Sequence, residues 1–117
     1  MEFTFDTTGQ VGIFALQGNL IGEKDGISIT EAFSEQLEAK VHHFVIDLGE
    51  LQHINSSGLG VLITLLTKAR KAGGEVYLAN PSDYIGNLLL ITKLNTIFQI
   101  FPNREEAIQA FNEKAGQ

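Results

Sequence analysis

Residues 47–72 read DLGELQHINSSGLGVLITLLTKARKA, and the rest of the chain is organised around this stretch. It predicts the end of a strand, a turn through residues 54–58, and then a strongly apolar helix. Ser56 and Ser57 stand where that helix is expected to begin, and a hydroxyl there can accept a hydrogen bond from a free backbone N–H. A phosphate there would face the positive end of the helix dipole. Gly58 has no side chain, which we interpret as room for another protein's backbone to approach. The stretch therefore predicts a modifiable hydroxyl on an exposed turn.

The helix predicted over about residues 57–72 has a broad apolar arc when it is plotted at about 100° per residue. Its core-facing residues are predicted to be Leu59, Leu62, Ile63, Leu66 and Ala69. Val61 and Leu65 fall at the border of this arc, and two interpretations stay open for them. Either a neighbouring helix covers both residues, or they belong to an exposed apolar patch beside the serines that meets a partner protein.

The remaining chain alternates strands and helices after an opening hairpin. We predict strands over residues 2–6, 11–17, 43–48, 75–79 and 96–101, a loop over 18–26, and helices over 27–40, 57–72 and 80–92, with a last one opened by Asn103. Asn80 is expected to cap the third helix, and Asn103 with Glu106 forms a capping-box variant. Residues 114–117 are expected to fray. The fold class predicted is α/β, with a mixed sheet of four or five strands and about four helices packed on it.

Length and composition limit the function. The chain has 117 residues, enough for one domain spanning residues 1–117 with a real core. A formal net charge of −6 disfavours nucleic acid and anionic membranes as partners. There is no cysteine, so disulfides and thiolate chemistry are excluded. No signal peptide or membrane-spanning run is evident, so we expect a cytoplasmic protein, and a monomer.

The chain resembles the STAS domain family in two segments, DLGEL at residues 47–51 and INSSGLGVL at residues 54–62. Within that family it is most similar to the anti-sigma factor antagonists. GNL at residues 18–20 and ANP at residues 79–81 agree with the same pattern. The resemblance implies a STAS-like fold along nearly the whole chain and a regulatory protein that is not an enzyme.

The resemblance also implies a mechanism of partner switching. In that family the unphosphorylated protein binds an anti-sigma factor that is also a serine kinase, and this frees the sigma factor. Phosphorylation ends the interaction, and a serine phosphatase restores it. Carried onto this chain, Ser57 is the phosphorylated residue because it immediately precedes the glycine, and Ser56 is the supporting hydroxyl or the helix cap. Partner binding is assigned to the docking turn and to the border of the helix, namely Asn55, Ser56, Gly58, Leu59, Val61 and Leu65.

Two residues depart from the family pattern. Asn55 stands where an acidic residue usually precedes the paired serines, and Ile21 stands where an aspartate usually follows glycine-x-leucine. Fewer negative neighbours mean less repulsion toward a phosphate on Ser57, so the switch is expected to be weaker or to be read differently by the kinase. Glu23 and Asp25 are candidates to supply charge from the same loop. The alternative function is a STAS scaffold or ligand-binding module in a transporter or signalling complex, without phosphorylation.

Enzymatic and metal-binding interpretations have weaker support in the sequence. Asp47, His53 and Ser57 contain the residue types of a hydrolase triad, but the Gly-x-Ser-x-Gly turn is missing. His42, His43 and His53 lack the spacing of a known metal site. No P-loop or dinucleotide fingerprint is present. We therefore expect no catalytic residue, no metal and no cofactor.

Overall fold

The computed structural model describes residues 1–115 and contains a five-stranded sheet in the order β1-β2-β3-β4-β5. The strands are β1 Glu2–Thr8, β2 Val11–Leu20, β3 His43–Ile54, β4 Glu75–Ala79 and β5 Ile100–Phe101. The α-helices are α1 Glu23–Glu38, α2 Ser56–Lys71, α3 Asp83–Ile91 and α4 Arg104–Ala115, with a short 3₁₀ turn at Leu94–Thr96. The predicted α/β fold with a mixed sheet is confirmed.

The sheet is mixed because of the opening hairpin. β1 pairs antiparallel with β2, and the turn between them contains Gly9 at a φ of +61°. The pairs β2–β3, β3–β4 and β4–β5 are all parallel, so each is joined by a crossover that contains a helix. The carboxyl ends of β2 and β3 therefore lie at the same edge of the sheet, and α1 and α2 both begin there.

Alternation along the strands divides the interior into two cores. Phe44 and Ile46 of β3 belong to the larger core, where they meet side chains of α1, α2 and α3. Val45, between them in sequence, belongs to a smaller core with Ala107 and Phe111 of α4. Successive strand residues point to opposite faces, so α1 to α3 cover one face and α4 covers the other.

Most of the segment predicted as a loop over residues 18–26 instead belongs to a strand and a helix. β2 continues to Leu20 and α1 begins at Glu23. Gly26, which had suggested a loop, is buried inside α1, where a Cβ atom would lie 2.8 Å from Cγ2 of Val61. The glycine therefore permits close packing of α1 on α2, and it does not mark a turn.

Three other boundaries differ from the prediction for non-local reasons. β3 extends six residues past Leu48, because residues 50–54 pair with the extended end of β2 across two register irregularities. The last strand is shortened to β5, because residues 94–96 form the 3₁₀ turn. Ser82 caps α3, accepting a hydrogen bond from the Ile85 N–H at 3.2 Å, because Asn80 takes a left-handed φ of +59° in the preceding turn.

The predicted start of α4 is confirmed. Asn103 Oδ1 accepts a hydrogen bond from the Glu106 N–H at 2.9 Å, and the Glu106 carboxylate accepts one from the Asn103 amide at 3.2 Å. The helix includes Lys114, and the remainder of the segment predicted to fray, residues 116–117, lies outside the described residues. Within residues 1–115, no helix has the length and apolar character that crossing a membrane requires.

Candidate functional site

The start of α2 is held by Asn55 and not by a serine. Asn55 has an extended backbone, and its Oδ1 accepts a hydrogen bond from the Gly58 N–H at 2.9 Å. Its own carbonyl accepts the first helical bond, from the Leu59 N–H at 2.9 Å. These two bonds define an N-cap, so the suggestion that Ser56 caps the helix is corrected. Because Asn55 performs this task, neither serine hydroxyl is needed for it.

Ser57 occupies the second position of α2 and is exposed, as is Ser56. The first turn of a helix has backbone N–H groups without intrahelical partners, and the dipole is positive there. α2 has no acidic residue in its first turn. The hydroxyl of Ser57 is therefore accessible from solvent in a setting that tolerates added negative charge.

Gly58 is needed for packing within the fold and does not provide space for a partner protein. It is buried, and a Cβ atom placed there would collide with the carbonyl oxygen of Leu20 and lie 2.7 Å from Cγ1 of Ile54. The missing side chain makes room for β2 beneath the helix, so our interpretation of Gly58 as space for another protein is corrected.

The apolar border of α2 is mostly covered. Leu65 is fully buried in the larger core, so the suggestion of an exposed patch at this residue is corrected. Leu59 is also buried, whereas Val61 is half-buried against Gly26. Ile63, predicted to face the core, is 38% exposed. The core-facing arc of α2 is therefore rotated toward Leu65 and away from Ile63 relative to the predicted arc.

Ser57 lies on the wall of an open groove of about 650 Å³ between the beginnings of α1 and α2. Val61 lines the same groove from α2. The opposite wall comes from the α1 side and consists of Gly22, Glu23, Gly26, Ile27, Thr30 and Glu31. Glu23 therefore lines the same groove as Ser57, on the α1 side, which agrees with the suggestion that it supplies charge there. Asp25 instead forms an ion pair of 3.2 Å with the N-terminal amino group.

Sequence reasoning missed Ile27 and Glu31 as residues of this site. Ile27 is 55% exposed, although the sequence pattern placed it at the start of an amphipathic helix. The available signal was the four-residue spacing of Glu23, Ile27 and Glu31, which puts the three on one helical face. Ile21 is also exposed, at 45%, at the end of β2.

The residues considered as a hydrolase triad are engaged elsewhere. Asp47 accepts a hydrogen bond from Nε of Arg104 at 2.8 Å and another from the Gly49 N–H at 2.9 Å. The His53 ring contacts Tyr84 edge-on, with centroids 5.9 Å apart. Asp47 thus fastens α4 to the sheet, which is a structural task.

A second titratable cluster lies under α4. The rings of Tyr77 and Phe111 stack with centroids 3.9 Å apart, and His43 stacks on Phe111 at 4.8 Å. Burial lowers the pKa of His43, helped by the positive charges of Lys114 and His42, while Glu75 opposes the shift. Burial also raises the pKa of the Tyr77 hydroxyl, with Glu75 adding to the effect. Both pKa shifts favour neutral rings in the stack.

The mixed five-stranded sheet, with an exposed serine at the start of the helix that follows its central strand, places the chain in the α/β class. The model of the STAS domain family matches residues 2–107. That match covers most of the chain, so the protein belongs to the STAS domain family.

Individual relatives agree with this assignment. A candidate anti-sigma factor antagonist of Bordetella bronchiseptica, BtrV, is 27% identical over 111 residues, which cover 95% of each chain. The anti-sigma factor antagonist SpoIIAA in its unphosphorylated form superimposes with a TM-score of 0.81 at 19% identity, covering 96% of this chain and 97% of that one. The phosphorylated form of SpoIIAA, from Bacillus, gives a TM-score of 0.74 at 20% identity, over 94% and 99% of the two chains.

The same fold occurs in another setting. A sulfate transporter family protein from Wolinella succinogenes superimposes with a TM-score of 0.75 at 14% identity, covering 92% of this chain and 89% of that one. At such identities the structural likeness shows the fold alone. The fold therefore does not distinguish an anti-sigma factor antagonist from a domain of a transporter family protein, and the residues of the site have to be considered.

Proposed function

We propose that this protein is an anti-sigma factor antagonist controlled by phosphorylation of Ser57. In its unmodified form it binds an anti-sigma factor that is also a serine kinase, and the sigma factor is released. The kinase transfers a phosphoryl group from ATP to Ser57, the complex dissociates, and a serine phosphatase restores the active form. The protein acts in the cytoplasm. The observation that carries this proposal is the exposed hydroxyl of Ser57 on the wall of the α1–α2 groove.

Accessibility supports Ser57 as the modified residue. Its neighbours Gly58 and Leu59 are buried and Asn55 is committed to the cap, so the Ser57 side chain can be engaged without disturbing the fold. Ser56 is exposed as well, but Ser57 is the serine that lines the groove. A kinase that occupies the groove would therefore meet Ser57 first.

Charge supports release as the consequence. A phosphoserine carries about −1.5 to −2 charges near neutral pH. In this protein it would enter a groove that is also lined by Glu23 and Glu31, in a chain whose net charge is already −6. Burying such a group in a protein interface carries a large desolvation penalty, so phosphorylation acts as a dissociation switch. Asn55 and Ile21 stand where the family pattern has two charges, and Glu23 contributes negative charge to the groove from the start of α1.

Substitutions at Ser57 test the switch. We expect Ser57→Ala to retain binding to a candidate ATP-binding anti-sigma kinase, because the alanine stays neutral and slightly smaller. Ser57→Asp should weaken binding by roughly tenfold or more, since it places a charge in the contact. Isothermal titration calorimetry measures both affinities. Ser28→Asp is the matched control because it makes the same change at an exposed serine that does not line the groove.

Mass spectrometry tests the chemistry separately. After incubation of the wild-type protein with the kinase and ATP, a single phosphate is expected on Ser57 and none on the Ser57→Ala variant. Modification at Ser56 or elsewhere, or equal binding by Ser57→Ala and Ser57→Asp, would contradict the proposal.

A second candidate function is a STAS scaffold or ligand-binding module of a transporter or signalling complex. The uncharged Asn55 cap favours it, because the turn is complete without a carboxylate or a phosphate. Unmodified Ser57 in cells, together with capture of a transporter component on the purified domain, would select this alternative.

A further inference from the structure

We propose that the α1–α2 groove docks a segment of the partner kinase in which an apolar side chain covers Ile27 and a lysine or arginine pairs with Glu31. This inference rests on the proposed function, because the occupant is the kinase that would modify Ser57. It adds a recognition surface on α1, away from the modified residue, and states the chemistry of the segment that fits it.

The first support is an apolar residue that the core does not use. Ile27 is 55% exposed, whereas Ile29 and Phe33 of the same helix are fully buried. Ile27 is therefore on the outer face of α1 and contributes little to the core. It lines the groove between two acidic residues, Glu23 and Glu31, at four-residue spacing.

The second support is the shape of the groove. α1 and α2 approach closely at Gly26, where a Cβ atom would lie 2.8 Å from Cγ2 of Val61. At this contact the buried Gly26 and the half-buried Val61 give the groove an apolar floor, and the exposed Glu23 and Glu31 line its α1 side. An apolar centre with a polar rim is the usual anatomy of a protein interface, and a single buried anchor residue there often carries much of the affinity.

The third support is charge. The described residues that line the groove include two glutamates and no lysine, arginine or histidine. The nearby Asp25 does not line the groove and is paired with the N-terminal amino group. The acidic side chains that line the groove are therefore the two glutamates. A cationic side chain on the occupant complements this surface and would speed association with it.

Glu31 is better suited than Glu23 to hold that cation. At about 1.5 Å of rise per residue, Glu31 lies roughly 12 Å along the helix axis from Glu23. A cation beside Glu23 would also attract a phosphate on Ser57 and would oppose release. The contact of Gly26 with Val61 sets α1 against α2: Ser57 lies about one turn before Val61, whereas Glu31 lies more than one turn beyond Gly26. A cation at Glu31 is therefore on the far side of that contact from Ser57, so it strengthens docking of the unmodified protein without holding the phosphorylated one.

Charge reversal on α1 tests the ionic contact. Glu31→Lys should raise the Kd for the kinase roughly tenfold or more. The KM for phosphorylation of Ser57 should rise in parallel with kcat unchanged, because the contact positions the substrate and does not touch the reacting atoms. Glu35→Lys is the matched control: it makes the same charge change on an exposed residue one turn further along α1, outside the groove.

A photo-cross-linking amino acid at residue 27 tests the occupant directly. Irradiation of the complex with the kinase should give a cross-linked kinase peptide that contains an apolar residue and a lysine or arginine within a few positions of it. The same amino acid at position 91 is the control, because Ile91 is 75% exposed on α3 and does not line the groove.

The outcomes separate the two proposals. If Glu31→Lys weakens binding no more than Glu35→Lys, or if position 27 cross-links no better than position 91, the docking surface is wrong while Ser57 remains the switch. A cross-linked segment without a lysine or arginine overturns the assigned chemistry. If the kinase neither binds nor phosphorylates the wild-type protein, the proposed function fails, and the docking proposal fails with it.

Discussion

The groove beside Ser57 and the aromatic stack under α4 lie on opposite faces of the sheet, and they use apolar side chains in opposite ways. In the stack, Phe111 is 1% exposed and its ring is pressed between Tyr77 and His43. In the groove, Ile27 is 55% exposed between two glutamates. What sets Ile27 apart from other exposed apolar residues is its place in the groove that Ser57 also lines, where its surface is available to a partner.

The largest expected effect comes from truncating one residue in each region. Phe111→Ala should lower the free energy of unfolding by about 3–5 kcal/mol, because it empties the centre of the stack. Ile27→Ala should change it by no more than about 0.5 kcal/mol, as is usual for exposed positions. Urea denaturation followed by circular dichroism measures both values. A similar loss in the two variants would remove the distinction between the regions.

A smaller effect distinguishes two glycines of α2. Gly58→Ala should destabilise the protein by about 1–3 kcal/mol, because the new methyl group collides with the Leu20 carbonyl. Gly60→Ala should stabilise it by about 0.5–1 kcal/mol, since a Cβ atom there meets nothing within 4 Å and alanine is the better helix former. Thermal unfolding of the two variants checks the signs. If Gly58→Ala is also stabilising, the account of the glycine as space for β2 is incorrect.

The smallest effect is a pH dependence that arises in the stack. Because burial lowers the pKa of His43 in the folded protein, the unfolded chain binds a proton there more readily. The contribution of His43 to stability is complete above its unfolded pKa of about 6.5 and declines as the pH falls below that value. Lys114 and His42 reinforce the effect, and Glu75 reduces it.

His43→Phe isolates the contribution of His43 to this pH dependence, since the variant retains a stacked ring that cannot titrate. The free energy of unfolding should depend less on pH between 7 and 5 in the variant than in the wild type. Identical slopes for the two proteins would show that His43 is not protonated differently in the folded and unfolded states.

Local sequence determined the features that depend on neighbours within about four residues. The presence of a strand followed by a helix around Ser57, the exposed serine pair, and the box of Asn103 with Glu106 were predictable, because caps and helical spacing are short-range. The turn predicted over residues 54–58 is wrong, because β3 continues to Ile54 and α2 begins at Ser56, which leaves only Asn55 between them. The resemblance of residues 47–62 to the STAS domain added the family and the expected role of Ser57.

Tertiary structure decided what depends on distant partners. The length of β3 follows from its pairing with the end of β2, and the burial of Leu65 follows from its place in the larger core, which several elements build together. Gly26 and Gly58 serve contacts with residues about 35 positions away, which no local pattern encodes. The groove exists because the beginnings of α1 and α2 meet at one sheet edge. The Ser57 hydroxyl in this groove could therefore be predicted from the sequence. The opposite wall, with Ile27 and Glu31, could be identified only from the tertiary structure.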